Sequence, residues 1–184
     1  MKQTKLMWQD VERQVHELLR QMCLEQWRPD YVVGLTRGGL TPAVLISQYL
    51  NVPMHALKVS LRDGQNDCES NLWMAEEAFG YVNEEDRGET VNWSNPAARR
   101  NILIVDDIND SGATINWLKQ DWEAGCMGTM APDIWKEIWG SNVRFAMLVN
   151  NESSEFKDVN YAAQTVNKLE DPQWIVFPWE EWWQ

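Results

Sequence analysis

Within this chain of 184 residues, the stretch ILIVDDINDSGAT, from Ile102 to Thr114, limits the possible folds most sharply. Its first four residues, Ile102 to Val105, are all apolar, as expected of a strand buried on both faces. The acidic residues Asp106, Asp107 and Asp110 follow at the carboxyl end of that strand. The small residues Ser111, Gly112, Ala113 and Thr114 then open a segment in which Ile115, Leu118 and Trp122 share a helical face. A buried strand turning into a helix belongs to a parallel α/β sheet, and such sheets bind ligands outside the carboxyl ends of their strands.

The rest of the chain carries the same alternation. From Trp8 to Trp27, the residues Val11, Val15, Leu18, Leu19, Met22 and Cys23 recur at helical steps, and Arg28-Pro29-Asp30 stops that helix. Tyr31 to Leu35 predicts a strand, Gly38-Gly39 a turn, Leu40 to Leu50 a helix, and Met54 to Val59 a second strand. After the helix at Ala113 to Ala124 come a short helix at Pro132 to Trp139 and a buried strand at Val143 to Val149. The expected fold class is therefore α/β, a parallel sheet with flanking helices. At roughly 150 residues per domain, the whole chain reads as a single domain. Leu61 to Arg100 interrupts the alternation, with Asp, Asn, Glu and Gly around the apolar islands Leu72 to Met74 and Phe79 to Val82. A segment of this kind is a long loop or lid, or it conceals an element.

Composition narrows the partners. A hydrophobic fraction of 44% with 24% charged residues supports a packed core. The net charge of −12 repels phosphate backbones and anionic lipid, which argues against nucleic acid or a membrane surface as the partner. Cys23, Cys68 and Cys126 are widely spaced and form no CxxC, so neither a disulfide framework nor a zinc site is expected, and a reducing cytoplasm fits best. No apolar run approaches the roughly 18 residues a membrane span needs, and Met1 to Asp10 is too polar for a signal peptide. A cytoplasmic homo-oligomer is the expectation.

The chemistry concentrates after the Ile102 strand. Backbone N–H groups of Ser111, Gly112, Ala113 and Thr114 converge on an anion at the positive end of a helix, and the two hydroxyls add donors. Asp106 and Asp107 alternate sides of an extended backbone, yet at a strand end both reach a ligand diol or a hydrated metal ion, with Asp110 in the same crevice. A calcium loop is excluded because Leu118 stands where its bidentate Glu is required. Neither a Walker A sequence nor GxGxxG is present, so nucleoside triphosphatase and dinucleotide-binding readings lack their defining parts.

The stretch resembles the phosphoribosyl-pyrophosphate (PRPP) signature of type I phosphoribosyltransferases, a family with a parallel sheet, a small hood and a mobile loop before the signature strand. The resemblance implies that Asp106 and Asp107 hold the ribose hydroxyls and, with magnesium, the pyrophosphate, with Asp107 as the metal ligand. It also implies that Asp110, Ser111, Gly112, Ala113 and Thr114 bind the 5-phosphate, and that Asp110 faces N7 of a purine as the catalytic base or hydrogen-bond partner. A second stretch, VVGLTRGGL from Val32 to Leu40, resembles the pyrophosphate loop of the purine-salvage branch, xanthine-guanine and hypoxanthine enzymes included. Its Thr36, Arg37, Gly38 and Gly39 complete the PRPP-binding set; physically, the glycines open backbone amides to an anion and Arg37 offers a fork of donors.

The tail WIVFPWE, Trp174 to Glu180, is similar to the purine-contacting end of the same branch. It implies that Trp174 stacks on the base, an interaction of about 1 to 3 kcal/mol, and that the Ile175 backbone reads its edge, within a base-contacting hood at residues 150–184. Trp179, Trp182 and Trp183 read instead as core or interface packing. Where the purine enzymes place a lysine that contacts the oxygen on C6 of the base, this chain has Asn150 and Asn151, with Lys157 further along. The expected activity is transfer of the 5-phosphoribosyl group from PRPP to a 6-oxopurine, with magnesium as cofactor. The alternatives are a nucleotide-sensing regulator that keeps the PRPP pocket, and an enzyme for a different nucleobase.

Overall fold

A computed structural model of the chain describes residues 2–60, 67–80, 95–126 and 132–180. Five strands form an all-parallel sheet: β2 (Tyr31–Leu35), β3 (Met54–Leu57), β6 (Ile102–Asn109), β7 (Val143–Asn151) and β8 (Tyr161–Val166), in the order β3-β2-β6-β7-β8. The strand that carries the acidic pair is central, flanked by β2 and β7, with Gly34 beside Val105 and Asn150 beside Asn109. This is the α/β architecture expected from the alternating pattern.

The apolar runs are explained by what covers each face. Val33, Ile102, Ile104, Phe145 and Met147 pack under α3 (Leu72–Phe79), α4 (Ala113–Cys126) and α5 (Pro132–Ile138), with Trp122 fully buried among them. Val32, Leu103, Val105, Ala146 and Leu148 face the other way, under α1 (Trp8–Leu24) and α2 (Leu40–Leu50). Successive residues of a strand point to opposite faces, so covering both faces requires each position to be apolar. Among the described residues, no helix is long and apolar enough to cross a membrane.

Three features depart from the sequence expectation. The long segment at 61–100 is not all loop: α3 lies inside it, with Met74, Ala75, Ala78 and Phe79 buried on the core at helical spacing. Its short apolar face is embedded in acidic and polar residues, which hides the period, and Gly80 closes the helix in the left-handed conformation. Residues 61–66 and 81–94, on which the rest of the lid expectation falls, lie outside the described residues. The strand expected over Met54 to Val59 is interrupted at Lys58, and β4 (Val59–Ser60) pairs antiparallel with β5 (Asp67–Cys68) instead of extending β3. Finally, the polar segment β1 (Lys2–Lys5) is a strand, paired in parallel with β9 (Gln173–Val176) in a two-stranded sheet of its own.

One buried amide links α3 to the main sheet. Asn142, just before β7, donates from Nδ2 to the carbonyls of Ala78 at 2.7 Å and Arg100 at 2.9 Å. Asn142→Ala should cost about 1 to 3 kcal/mol of unfolding free energy, because both carbonyls lose their donor. Urea denaturation checks this, and an unchanged midpoint would show that the link contributes nothing net.

Candidate active site

Three loops meet at the carboxyl ends of β2, β6 and β7. The first, Thr36 to Gly39, leaves β2 with the Thr36 N–H donating to the Leu57 carbonyl at 3.0 Å, and its Thr36–Arg37 peptide is cis. It lies directly on the end of β6. A Cβ built on Gly38 would overlap Cγ and Oδ2 of Asp107 and stand 2.8 Å from Oδ1. One on Gly39 would overlap the Val105 carbonyl and stand 2.9 Å from the Asp106 Cα. The two glycines are what allow an exposed arginine loop to touch an acidic strand end.

At that strand end Asp107 is buried, and its N–H donates to Asp106 Oδ1 at 2.9 Å. The chain then turns through Asp110, Ser111 and Gly112 into α4. Gly112 has φ +86, and a Cβ there would stand 2.5 Å from the Phe156 nitrogen and 2.7 Å from Ser154 Oγ. A side chain is thus disfavoured at Gly112 by both backbone conformation and space. The Ala113 N–H turns to Ser111 Oγ at 3.3 Å, and the Glu155 N–H donates to the Ser111 carbonyl at 3.0 Å. The small-residue loop is therefore held between α4 and the segment that follows β7.

That third segment holds a polar network which sequence reasoning did not anticipate. Asn109 is buried at the last position of β6; its Nδ2 donates to Asn150 Oδ1 at 2.8 Å and to the Phe156 carbonyl at 3.0 Å. Its Oδ1 accepts from Ser154 Oγ at 2.8 Å. Asn151, also buried, donates from Nδ2 to the Asp110 carbonyl at 2.9 Å. Its Oδ1 accepts from the Ser153 hydroxyl at 2.8 Å and from the Lys168 N–H at 3.0 Å. Both asparagines at the end of β7 are thus tied into the loops around them. Lys157 is exposed and donates to the Glu152 carbonyl.

The residue that comes to Asp110 belongs to none of the motifs. Lys168, in the turn between β8 and β9, places Nζ 2.8 Å from Asp110 Oδ1 and 5.8 Å from the centroid of the Trp174 ring. The lysine side chain is only 16% exposed, against 47% for Asp110. Trp174 is 44% exposed, an uncovered indole beside this pair, while Ile175 is buried on the sheet. Its strand β9 is held by β1, which pairs Gln3 with Trp174 and Thr4 with Ile175. Trp179 stacks on Phe177 at 4.9 Å and meets Trp8 at 5.9 Å, a packing role as expected, whereas Trp182 and Trp183 lie outside the described residues. No sequence period marks Lys168; a search for cations within a few residues of Trp174 is the signal that finds it.

A family model described as "Phosphoribosyl transferase domain" matches residues 5–184. A hypoxanthine-guanine phosphoribosyltransferase of Schizosaccharomyces pombe is 24% identical, over 90% of this chain and 85% of that protein. Among solved structures, a purine phosphoribosyltransferase from Pyrococcus horikoshii superposes with a TM-score of 0.63 at 22% identity, covering 99% of this chain and 97% of that one. A xanthine-guanine-hypoxanthine phosphoribosyltransferase of Helicobacter pylori gives 0.60 at 16% identity, covering 97% and 94%. These two structural likenesses speak to the fold.

Proposed function

Because this chain belongs to the phosphoribosyl transferase domain family, we propose that it transfers the 5-phosphoribosyl group from PRPP to a 6-oxopurine base in the cytoplasm and releases pyrophosphate. The observation that carries this reading is the seating of the Thr36 to Gly39 loop on the Asp106-Asp107 strand end, which runs on into the small-residue turn, with Trp174 uncovered beside the Lys168–Asp110 pair. One ligand with a diol, a terminal phosphate and a pyrophosphate matches that set of neighbours. Asp106 and Asp107 take the ribose hydroxyls. The amides and hydroxyls of Ser111 to Thr114 take the 5-phosphate at the start of α4. Arg37 and the glycine amides take the pyrophosphate. The base stacks on Trp174, with the Ile175 backbone at its edge.

As the bond at the anomeric carbon breaks, positive charge grows on the sugar, and the acidic pair favours it electrostatically. Asp110 accepts a proton from, or hydrogen-bonds to, N7 of the attacking purine. Asp106 and Asp107 fit a magnesium ion brought in with the pyrophosphate: their oxygens are hard donors, and magnesium in phosphate sites takes one or two carboxylates besides the substrate. Among the described residues, no cluster of three or more His, Cys, Asp or Glu is arranged as a separate metal cage. Asp107 would be the protein ligand, and the ion when bound neutralises charge on the leaving pyrophosphate.

The test is steady-state turnover with PRPP and magnesium across guanine, hypoxanthine, xanthine, adenine and uracil. Product from the 6-oxopurines in preference to adenine and uracil is expected. No product from any base would replace this reading with a nucleotide-sensing regulator on the same fold.

A further inference from the structure

We propose that Lys168 reads the oxygen on C6 of the base and thereby sets the preference for 6-oxopurines over 6-aminopurines, a specificity role that rests on the phosphoribosyl transfer reading above. The end of β7, where the purine enzymes of the resemblance place a lysine, carries Asn150 and Asn151. Asn150 Oδ1 accepts from Asn109, and both polar atoms of the Asn151 amide are bonded. Lys157 turns to the Glu152 carbonyl. The cation at Asp110 instead comes from the turn after β8.

Purine geometry makes this placement informative. A free 6-oxopurine that attacks through N9 carries its proton on N7, so one edge offers an N7–H donor to Asp110 beside the O6 acceptor, whereas adenine carries an amino donor in place of O6. With Asp110 at N7 and the ring stacked on Trp174, the C6 substituent falls on the neighbouring position along that edge. The Lys168 ammonium is the cation within reach of that position, 2.8 Å from Asp110 Oδ1 and 5.8 Å from the centroid of the Trp174 ring. An ammonium has three donors and no acceptor. The Asp110 contact does not exhaust it, so it can donate to O6 but meets an adenine amino group donor to donor. Burying most of the lysine side chain strengthens this discrimination, because an unpaired donor away from water is costly.

The lysine is also held in place. Asn151 accepts from the Lys168 N–H through Oδ1 and donates to the Asp110 carbonyl through Nδ2. One buried amide therefore pins the backbones of both residues and fixes the distance between carboxylate and cation. In this arrangement Asn151 is a positioning residue, acting on the base only through Lys168 and Asp110.

The experiment compares wild type, K168M, K168Q and K168R with hypoxanthine, guanine and adenine at saturating PRPP and magnesium, alongside calorimetric PRPP affinity and thermal melting. In K168M and K168Q, kcat/KM for the 6-oxopurines should fall about 10- to 100-fold, as expected for losing a hydrogen bond from a charged group. Adenine turnover should hold or rise and PRPP affinity should stay unchanged, while K168R should keep the 6-oxopurine preference. Two neutral variants are used so that a folding failure in one leaves the ratio measurable in the other. An unchanged ratio of 6-oxopurine to adenine kcat/KM in a folded neutral variant overturns the proposal. So does a loss shared equally by all bases and by PRPP affinity, which would mark Lys168 as purely structural. Wild-type enzyme that makes no product from any base defeats the transfer reading itself, a result distinct from either outcome in the variants.

Discussion

Asp110→Asn is expected to lower turnover by about 100- to 10,000-fold, the usual cost of losing a general base, with little change in PRPP affinity. The asparagine keeps the size of the side chain and the Asp110 carbonyl that Asn151 grips. It removes the charge that pairs with Lys168 and the group assigned to take a proton from the attacking purine. The PRPP contacts assigned to Asp106, Asp107 and the Ser111 to Thr114 loop remain in the variant. Asp107→Asn should show the opposite split, with weakened binding of PRPP and magnesium, because the buried Asp107 carboxylate lies against the Thr36 to Gly39 loop assigned to the pyrophosphate. Turnover and calorimetric PRPP affinity measured on both variants separate the two roles, and wild-type turnover in Asp110→Asn would refute the base assignment.

Gly38→Ala should be nearly as damaging, through shape and not charge. The added methyl would overlap the Asp107 carboxylate, whose side chain is too short to swing far, so either Asp107 leaves its position or the Thr36 to Gly39 loop lifts away from β6. Both displacements separate groups assigned to the diol, the metal and the pyrophosphate. A loss of about 100- to 1,000-fold in kcat/KM is expected, comparable to removing one preorganised electrostatic group from an active site. PRPP affinity should fall with it, since the groups affected bind the ground state as well. The fold should survive, because the overlap is with a side chain at the edge of the core. Thermal melting with and without PRPP and magnesium tests this: the variant should melt close to wild type without ligand and gain little from adding it. A wild-type shift on adding PRPP would show that the loop and Asp107 do not depend on the close approach at Gly38.

What could be read from the sequence was the part of the site written contiguously. Ile102 to Thr114 contains its own strand, acidic end, anion loop and helix start, because burial on both faces demands an apolar run and a tight anion turn demands small residues. The same holds for Thr36 to Gly39, where glycines are needed for one backbone to lie on another. α3 escaped because Met74, Ala75, Ala78 and Phe79 make a face too short to stand out from the acidic residues around it. β1 escaped because its polar residues become a strand only when β9 is there to pair with it. Tertiary structure alone decided the surroundings of Asp110: Asn109 meets Ser154, Asn151 meets Lys168 and Asp110, and Lys168 meets Asp110 and Trp174. A polar side chain carries no period that reveals its partner, and the Lys168–Asp110 pair is made by loops on different strands, so only the packing of β6, β7 and β8 in one sheet sets the cation beside the carboxylate.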